Sequence, residues 1–253
     1  MQTLKSSLMQ PEKALFHLFT TRIGGESIAP YDSNNLAFHV GDDKKSVLAN
    51  HQKLADACGY ERSQLVHMRQ IHSNRVTVVD ESHDFEHPPE CDAVVTDREG
   101  VPLMVMVADC TPILLFDPKK RVIAAIHAGR AGAFNNITAA TLEVMQESFG
   151  CDTADILAVL GPSIHVCCYE VGKAIADEAQ AQGVGYAIEA REGSHYLDVN
   201  KIIKKQLAQC GVTEAHTEEM PLCSACENRR FFSYRADKQQ TGRMAGVIML
   251  TPV

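Results

Sequence analysis

The sequence predicts a mixed α/β sandwich, in preference to a doubly wound parallel sheet, on three observations. Short apolar runs recur at 75–80, 103–107, 113–116, 122–126 and 156–160. Those between 103 and 126 are joined by links as tight as DPKK (117–120), too short for a helical crossover, so they favour antiparallel or mixed pairing. Three further segments, 46–58, 134–150 and 199–211, carry the periodicity of amphipathic helices.

In SVLANHQKLADAC (46–58), Val47, Leu48, His51, Leu54, Ala55 and Cys58 fall on one helical stripe. Ser46 is its expected N-cap, because a hydroxyl there accepts from a free amide of the first turn. RVTVVD (75–80) reads as a strand, followed by LMVMV (103–107), ILLF (113–116) and VIAAI (122–126). FNNITAATLEVMQESFG (134–150) is the second helix, with Gly150 as its stop. ILAVL (156–160) is a strand, and VNKIIKKQLAQCG (199–211) is the third helix, with Gly211 past its end. There is no internal repeat, low-complexity tract or Pro/Gly/Ser-rich linker, so one domain is expected over residues 1–253.

A chain of 253 residues with 45% hydrophobic and 22% charged side chains buries a large core. Its formal net charge of −8 argues against a nucleic-acid binder, which normally shows a basic face. No apolar stretch is long enough to span a bilayer. MQTLKSSLMQPEKALFHLF lacks the apolar segment and cleavage site of a secretory signal, so a cytoplasmic location is expected. In that compartment the nine cysteines stay reduced, which leaves thiol packing, metal binding or catalysis as their roles. Cys58 and Cys210 close amphipathic patterns and are expected in the core.

Two motifs are set aside. HTEEMPLCSAC (216–226) joins His-x-Glu to Pro-x-Cys-x-x-Cys in the manner of zinc nucleobase deaminases, but its halves are too close together and Leu222 interrupts the Pro-Cys pair. Cys223 and Cys226 form one C-x-x-C with no second pair at zinc-finger spacing, and are read as buried thiols. HAGRAG (127–132) has more to offer. Gly129 and Gly132 follow a strand and precede the 134–149 helix, a context in which backbone amides hold an anion. It is not a phosphate loop of the Gly-Lys-Ser/Thr type, and a tight turn requiring glycine accounts for the pattern equally well.

The chemistry-bearing residues cluster at strand ends. Cys110 follows LMVMVAD and His127 follows VIAAI; if those strands are neighbours, sulfur and imidazole meet. A thiolate and an imidazole suit zinc, which in catalytic sites takes three protein ligands and leaves one position open. His72, just before the 75–80 strand, is the best third ligand, with His67 in reserve. On pattern alone, a nucleophile–base pair and two merely structural residues stay open beside the metal reading.

QIHSNRV (70–76), CDAVVTDREGVPLMVMVADCTPILLFDP (91–118), IAAIHAG (123–129), GPSIHVCCYEVG (161–172) and FFSYR…TGRMAG (231–246) occur in this order, preceded by TTRIGG (20–25) and SNNL…GDD (33–43). Across essentially the whole chain they resemble the YfiH/laccase-domain family, formerly called multicopper polyphenol oxidases. The resemblance implies a layered α/β/β/α sandwich and a zinc-dependent purine nucleoside enzyme. The implied reactions are phosphorolysis of adenosine, inosine, guanosine and methylthioadenosine, and deamination of adenosine. The family's metal ligands fall on His72, Cys110 and His127. The implied partners are purine nucleosides and phosphate, without nucleic acid or membrane, and a homo-oligomer is compatible with the sequence. The family usually reads HAGWRG; here Arg130 stands at the tryptophan position and Ala131 at the arginine position, which puts that arginine's contact in doubt.

Zinc held by Cys110 and two imidazoles activates water or polarises a substrate atom. Cys110, His127 and Asp109 are the expected catalytic group, Asp109 moving a proton or orienting a ligand. Arg130, Arg22, Gln70 and Arg243 are expected substrate contacts, the arginines for anions or bases. A multicopper oxidase fits poorly, since the chain has no His-x-His, although Cu²⁺ competes well for the same three ligands. The other readings are a metal-free cysteine hydrolase with Cys110 as nucleophile and His127 as base, and a non-catalytic metal- or nucleoside-binding protein.

Overall fold

In the computed structural model, which describes residues 1–252, the elements run β1 (Thr3–Leu4), β2 (Leu15–Thr20), α1 (Lys44–Cys58), β3 (Val76–Val78), β4 (Ala93–Thr96), β5 (Leu103–Val107), β6 (Thr111–Asp117) and β7 (Val122–Ala128). They continue with α2 (Arg130–Phe134), α3 (Ile137–Phe149), β8 (Leu157–Leu160), β9 (Glu170–Val171), α4 (Lys173–Ala181), β10 (Ile188–Arg191), β11 (Ser194–Leu197), α5 (Val199–Gln209), β12 (Thr217–Glu219) and β13 (Met244–Leu250). A six-stranded mixed sheet has the order β12-β8-β6-β7-β4-β3, and an antiparallel four-stranded sheet the order β1-β2-β13-β5. A small third sheet, β10-β11-β9, lies apart from both.

The alternation of side chains along the strands stacks these parts into layers. Ile113 and Leu115 of β6 point into one cluster with Ile137 and Leu142 of α3 and Ile202 of α5. Leu114 and Phe116 point the other way, to meet Leu103, Val105 and Val107 of β5. Met104 and Met106, on the opposite face of β5, pack with Leu54 and Ala55 of α1. The order is therefore α/β/β/α, as expected. Each central strand is covered on both faces, which is why it reads as a continuous apolar run and not as an alternation. No helix among the described residues is long and apolar enough to cross a membrane.

Several local expectations are corrected. Asp43, not Ser46, caps α1: its carboxylate accepts from the Ser46 amide over 3.0 Å, and the helix starts earlier. Leu48 is exposed and lies off the buried stripe. The expected 134–150 helix is two pieces, because Asn136 takes a left-handed conformation (φ 59°) between α2 and α3. Cys58 is buried as expected, whereas Cys210 is only half-buried. β5 does not pair with β6 or β7 but lies in the facing sheet; the chain crosses from one sheet to the other at Ala108–Cys110, with Asp109 at φ 85°.

Candidate metal centre

The crossing between sheets builds the site. Cys110 immediately precedes β6, whose first rungs on β7 pair Thr111 with Ala128 and Pro112 with His127. Cys110 and His127 thus meet through the β6–β7 ladder, not through β5. His72 arrives on the loop before β3 with φ 58°, a conformation uncommon for a residue with a side chain and found preferentially at functional sites. The donor atoms of His72, Cys110 and His127 all lie within 4.8 Å of one another. The two imidazoles stand edge to face, with centroids 4.8 Å apart. A Cβ on Gly129 would stand 2.8 Å from the Cys110 sulfur, so glycine lets the backbone pass close behind it. His67, the reserve third ligand, lies elsewhere: it packs on His51 and Phe85, with Nε2 3.1 Å from the Phe85 carbonyl.

Asp92, which the sequence reading passed over, organises this centre. Its fully buried carboxylate lies 2.8 Å from His127 Nδ1 and accepts from the amides of His72 (3.0 Å) and Ser73 (2.6 Å) and from the Ser73 hydroxyl (2.7 Å). Burial alone would raise its carboxyl, but the hydrogen bonds from His127 and Ser73 overcome that and hold it at about 2. An ionised carboxylate only accepts, so His127 carries a proton on Nδ1 and turns Nε2 towards the cluster. Burial likewise opposes the charge on Cys110, yet His127 and His72 reverse it and bring the thiol down to about 6. Burial lowers His127, and the charges of Cys110 and Asp92 outweigh it, raising the imidazole to about 9. Left to themselves the two groups form a thiolate–imidazolium pair, and a metal entering among them displaces the second imidazolium proton. One soft thiolate and two imidazoles, one of them clamped by a carboxylate, fit zinc with an open position.

The cluster opens into a cavity of about 990 Å³. Arg69, Arg130, Arg235, Lys238 and Arg243 line it, against the single carboxylate of Asp109, in a chain of net charge −8. Tyr169 and Tyr234 add aromatic surface.

The structure separates the expected contacts. Arg130 and Arg243 line the cavity. Arg130 is bonded to Glu178 over 2.7 Å, and Arg243 donates to the carbonyls of Thr241 and Gly242. Arg130 opens the one-turn helix α2 and not the longer α3, so it does not stand at the start of a 134–149 helix as expected. Gln70 reaches the cavity wall, but both ends of its amide bond the backbone of Met106 at 2.8 Å. Arg22 is outside the lining; it is held by Asp32, Asp237 and the Asn228 carbonyl, and stacks on Phe232, so it braces the scaffold. Asp109 faces the cavity, yet each carboxylate oxygen accepts at 2.7 Å, from the Ser224 hydroxyl and the Arg235 amide. It positions the 221–235 loop.

Cys223 is buried as expected, but the reading of Cys226 as a buried thiol is corrected. Cys226 is exposed, and both lie with Cys167 and Cys168 in a group whose sulfurs are all within 4.8 Å. The second pair is an adjacent Cys-Cys on a distant loop, which a search for zinc-finger spacing misses.

Comparison with known proteins agrees with this architecture. Residues 16–251 match the family model described as multi-copper polyphenol oxidoreductase laccase. A Corynebacterium glutamicum protein named purine nucleoside phosphorylase Cgl2154/cg2365 is 42% identical over 92% of this chain and 93% of its own. The Geobacillus stearothermophilus protein named purine nucleoside phosphorylase YlmD is 32% identical over 90% and 88%. The crystal structure of the Bacillus licheniformis hypothetical protein YfiH superposes with a TM-score of 0.89 at 31% identity, covering 94% of this chain and 93% of that one. With the layered fold and these matches along nearly its whole length, the chain belongs to the family of laccase-like multi-copper polyphenol oxidoreductases that includes YfiH and YlmD.

Proposed function

We propose that the protein is a zinc-dependent purine nucleoside phosphorylase that also deaminates adenosine, with His72, Cys110 and His127 as the metal ligands. The observation that carries this reading is a three-donor cluster on the wall of a cation-lined cavity whose size suits a nucleoside with phosphate. The names of the relatives at 42% and 32% identity support the reaction class. Bound zinc would supply a Lewis acid at its open position. In phosphorolysis a phosphate oxygen bonds to the ribose anomeric carbon while the glycosidic C–N bond breaks, its electron pair leaving with the purine. Arg130, Arg235 and Lys238 offer the positive charge that gathers phosphate, and Tyr169 and Tyr234 offer faces on which a purine stacks. Asp92 keeps His127 in one orientation and one tautomer, and Asp109 holds the loop that carries Tyr234 and Arg235.

Adenosine, inosine, guanosine and methylthioadenosine incubated with and without phosphate, with products separated by chromatography, test the reading. Free purine is expected only with phosphate, and inosine from adenosine in either condition; no change in any nucleoside overturns the proposal. Arg130→Ala should raise the phosphate concentration for half-maximal phosphorolysis by roughly tenfold or more, because a charged hydrogen bond contributes about 1.5–3 kcal/mol. Adenosine deamination should change much less. Equal loss of both activities would mean that Arg130 supports the whole site, and no loss would make it a surface residue.

One observation favours a second reading. Cys110, His127 and Asp92 also stand in the relation of nucleophile, base and orienting carboxylate, as a metal-free cysteine hydrolase requires. That enzyme would survive chelation and His72→Ala, and its low-pKa thiol would alkylate rapidly. Copper would occupy the same three donors, and elemental analysis distinguishes it from zinc.

A further inference from the structure

We propose that Cys167, Cys168, Cys223 and Cys226 form a second metal site, a structural zinc tetrathiolate that locks together the two loops walling the cavity. Cys226 Sγ lies 3.3 Å from Cys168 Sγ and 3.6 Å from Cys167 Sγ, and all four sulfurs fall within 4.8 Å of one another. The edge of a zinc–sulfur tetrahedron is about 3.8 Å, given a Zn–S bond of about 2.3 Å. The group is therefore close to the size of a filled site.

The backbone gives one of these sulfurs a donor. The His165 amide donates to Cys223 Sγ over 3.5 Å. An amide on the first sulfur of the C-x-x-C turn offsets part of the charge that four thiols acquire when they release their protons around a divalent ion, which leaves −2 on the site. Soft sulfur ligands without an oxygen donor select zinc over magnesium or calcium. Cys167 and Cys226 are exposed, so an ion has a path in from solvent.

The placement gives the site its purpose. Ser163 pairs with Cys223 as an isolated parallel bridge, with the Ser224 amide donating to the Ser163 carbonyl over 2.9 Å. From this junction one loop runs to Ile164 and Tyr169, and the other to Tyr234 and Arg235, all on the cavity wall. Few elements of regular structure hold these loops, whose only strand is the two-residue β9. A tetrathiolate joining both ends fixes the wall without touching the reacting atoms.

Metal counting on protein purified anaerobically under reductant, and loaded with zinc alone, tests the site independently of activity. The wild type should hold about two zinc ions per chain, and His72→Ala/His127→Ala about one, as expected for one ion per cluster. Cys223→Ser/Cys226→Ser in that background should hold none. Cobalt loaded into His72→Ala/His127→Ala should give the thiolate-to-metal charge-transfer absorption of a tetrahedral sulfur site, which uses a folded protein with all four thiols intact. Absence of that absorption, or of any zinc in this variant, overturns the proposal. So does a mass deficit matching a disulfide among these cysteines in protein kept reduced. With the site emptied by Cys226→Ser, KM for nucleoside should rise severalfold while kcat falls less; unchanged zinc content in Cys226→Ser would also count against it.

Discussion

If the proposed zinc site is right, Cys110→Ala is expected to bind no zinc at that centre and to lose nucleoside turnover by roughly three orders of magnitude or more, while keeping a folded protein. Removing several kcal/mol of electrostatic stabilisation from a reaction costs about tenfold per 1.4 kcal/mol. A three-donor centre cannot spare its only thiolate, because the two imidazoles that remain leave the ion largely to water. The fold should survive, because three apolar clusters, one between the sheets and one under each helical layer, carry its stability. His127→Ala should behave in the same way. His72→Ala against His67→Ala is the sharper comparison. His72→Ala should lose metal and turnover, whereas His67→Ala should lower thermal stability through its lost contacts with His51 and Phe85 and keep the metal. Wild-type turnover in Cys110→Ala, measured with zinc content on the same sample, would remove the centre from the mechanism.

Much of this architecture was legible because burial leaves a strong mark on composition. β5, β6 and β7 are covered on both faces, so their unbroken apolar runs stood out, and the short DPKK link correctly excluded a helical crossover. α1 and α5 were visible through their buried stripes. The second sheet was not. Its central pair joins β2 to β13, Gly246 opposite Phe19 and Leu250 opposite Leu15, from opposite ends of the chain, and no local pattern encodes that pairing. Nor does any pattern reveal that the chain leaves one sheet for the other at Asp109, which is what turns Cys110 towards His127. His72, Cys110 and His127 were reachable because ligand-type residues at strand ends are a recognisable signal. Asp92 had a weaker one that went unused: a single carboxylate opening the apolar run of CDAVV needs buried partners. The four-cysteine group had almost none, since the two pairs meet only through the pairing of Ser163 with Cys223.

Asp92→Asn should weaken zinc binding by about ten- to a hundredfold, the usual cost of losing a carboxylate behind a ligating histidine. Turnover should fall at least as far. The substitution keeps the shape of the side chain and removes its charge, so the argument turns on hydrogen atoms. Asp92 accepts five bonds: Oδ1 from His127 Nδ1 and the His72 amide, and Oδ2 from the amides of Ile71 and Ser73 and the Ser73 hydroxyl. An asparagine has one accepting oxygen and an amide that only donates. If the oxygen takes the Oδ2 place and keeps Ile71 and Ser73, the NH₂ faces His127 Nδ1 and the His72 amide and forces the imidazole proton onto Nε2, the nitrogen turned towards Cys110. If the oxygen keeps His127 and the His72 amide, the NH₂ opposes the amides of Ile71 and Ser73 and the 71–73 loop that carries His72 is pushed away. Either way one imidazole is lost from the cluster. Ser73→Ala is the control, since it removes one bond to Asp92 without touching His127 and should cost about 1 kcal/mol of stability with metal affinity close to wild type. Measured on zinc-free protein, the two variants separate the carboxylate's role in holding the loop from its role in setting the tautomer. Wild-type zinc affinity in Asp92→Asn would reduce Asp92 to a loop anchor and leave the orientation of His127 to the β6–β7 ladder alone.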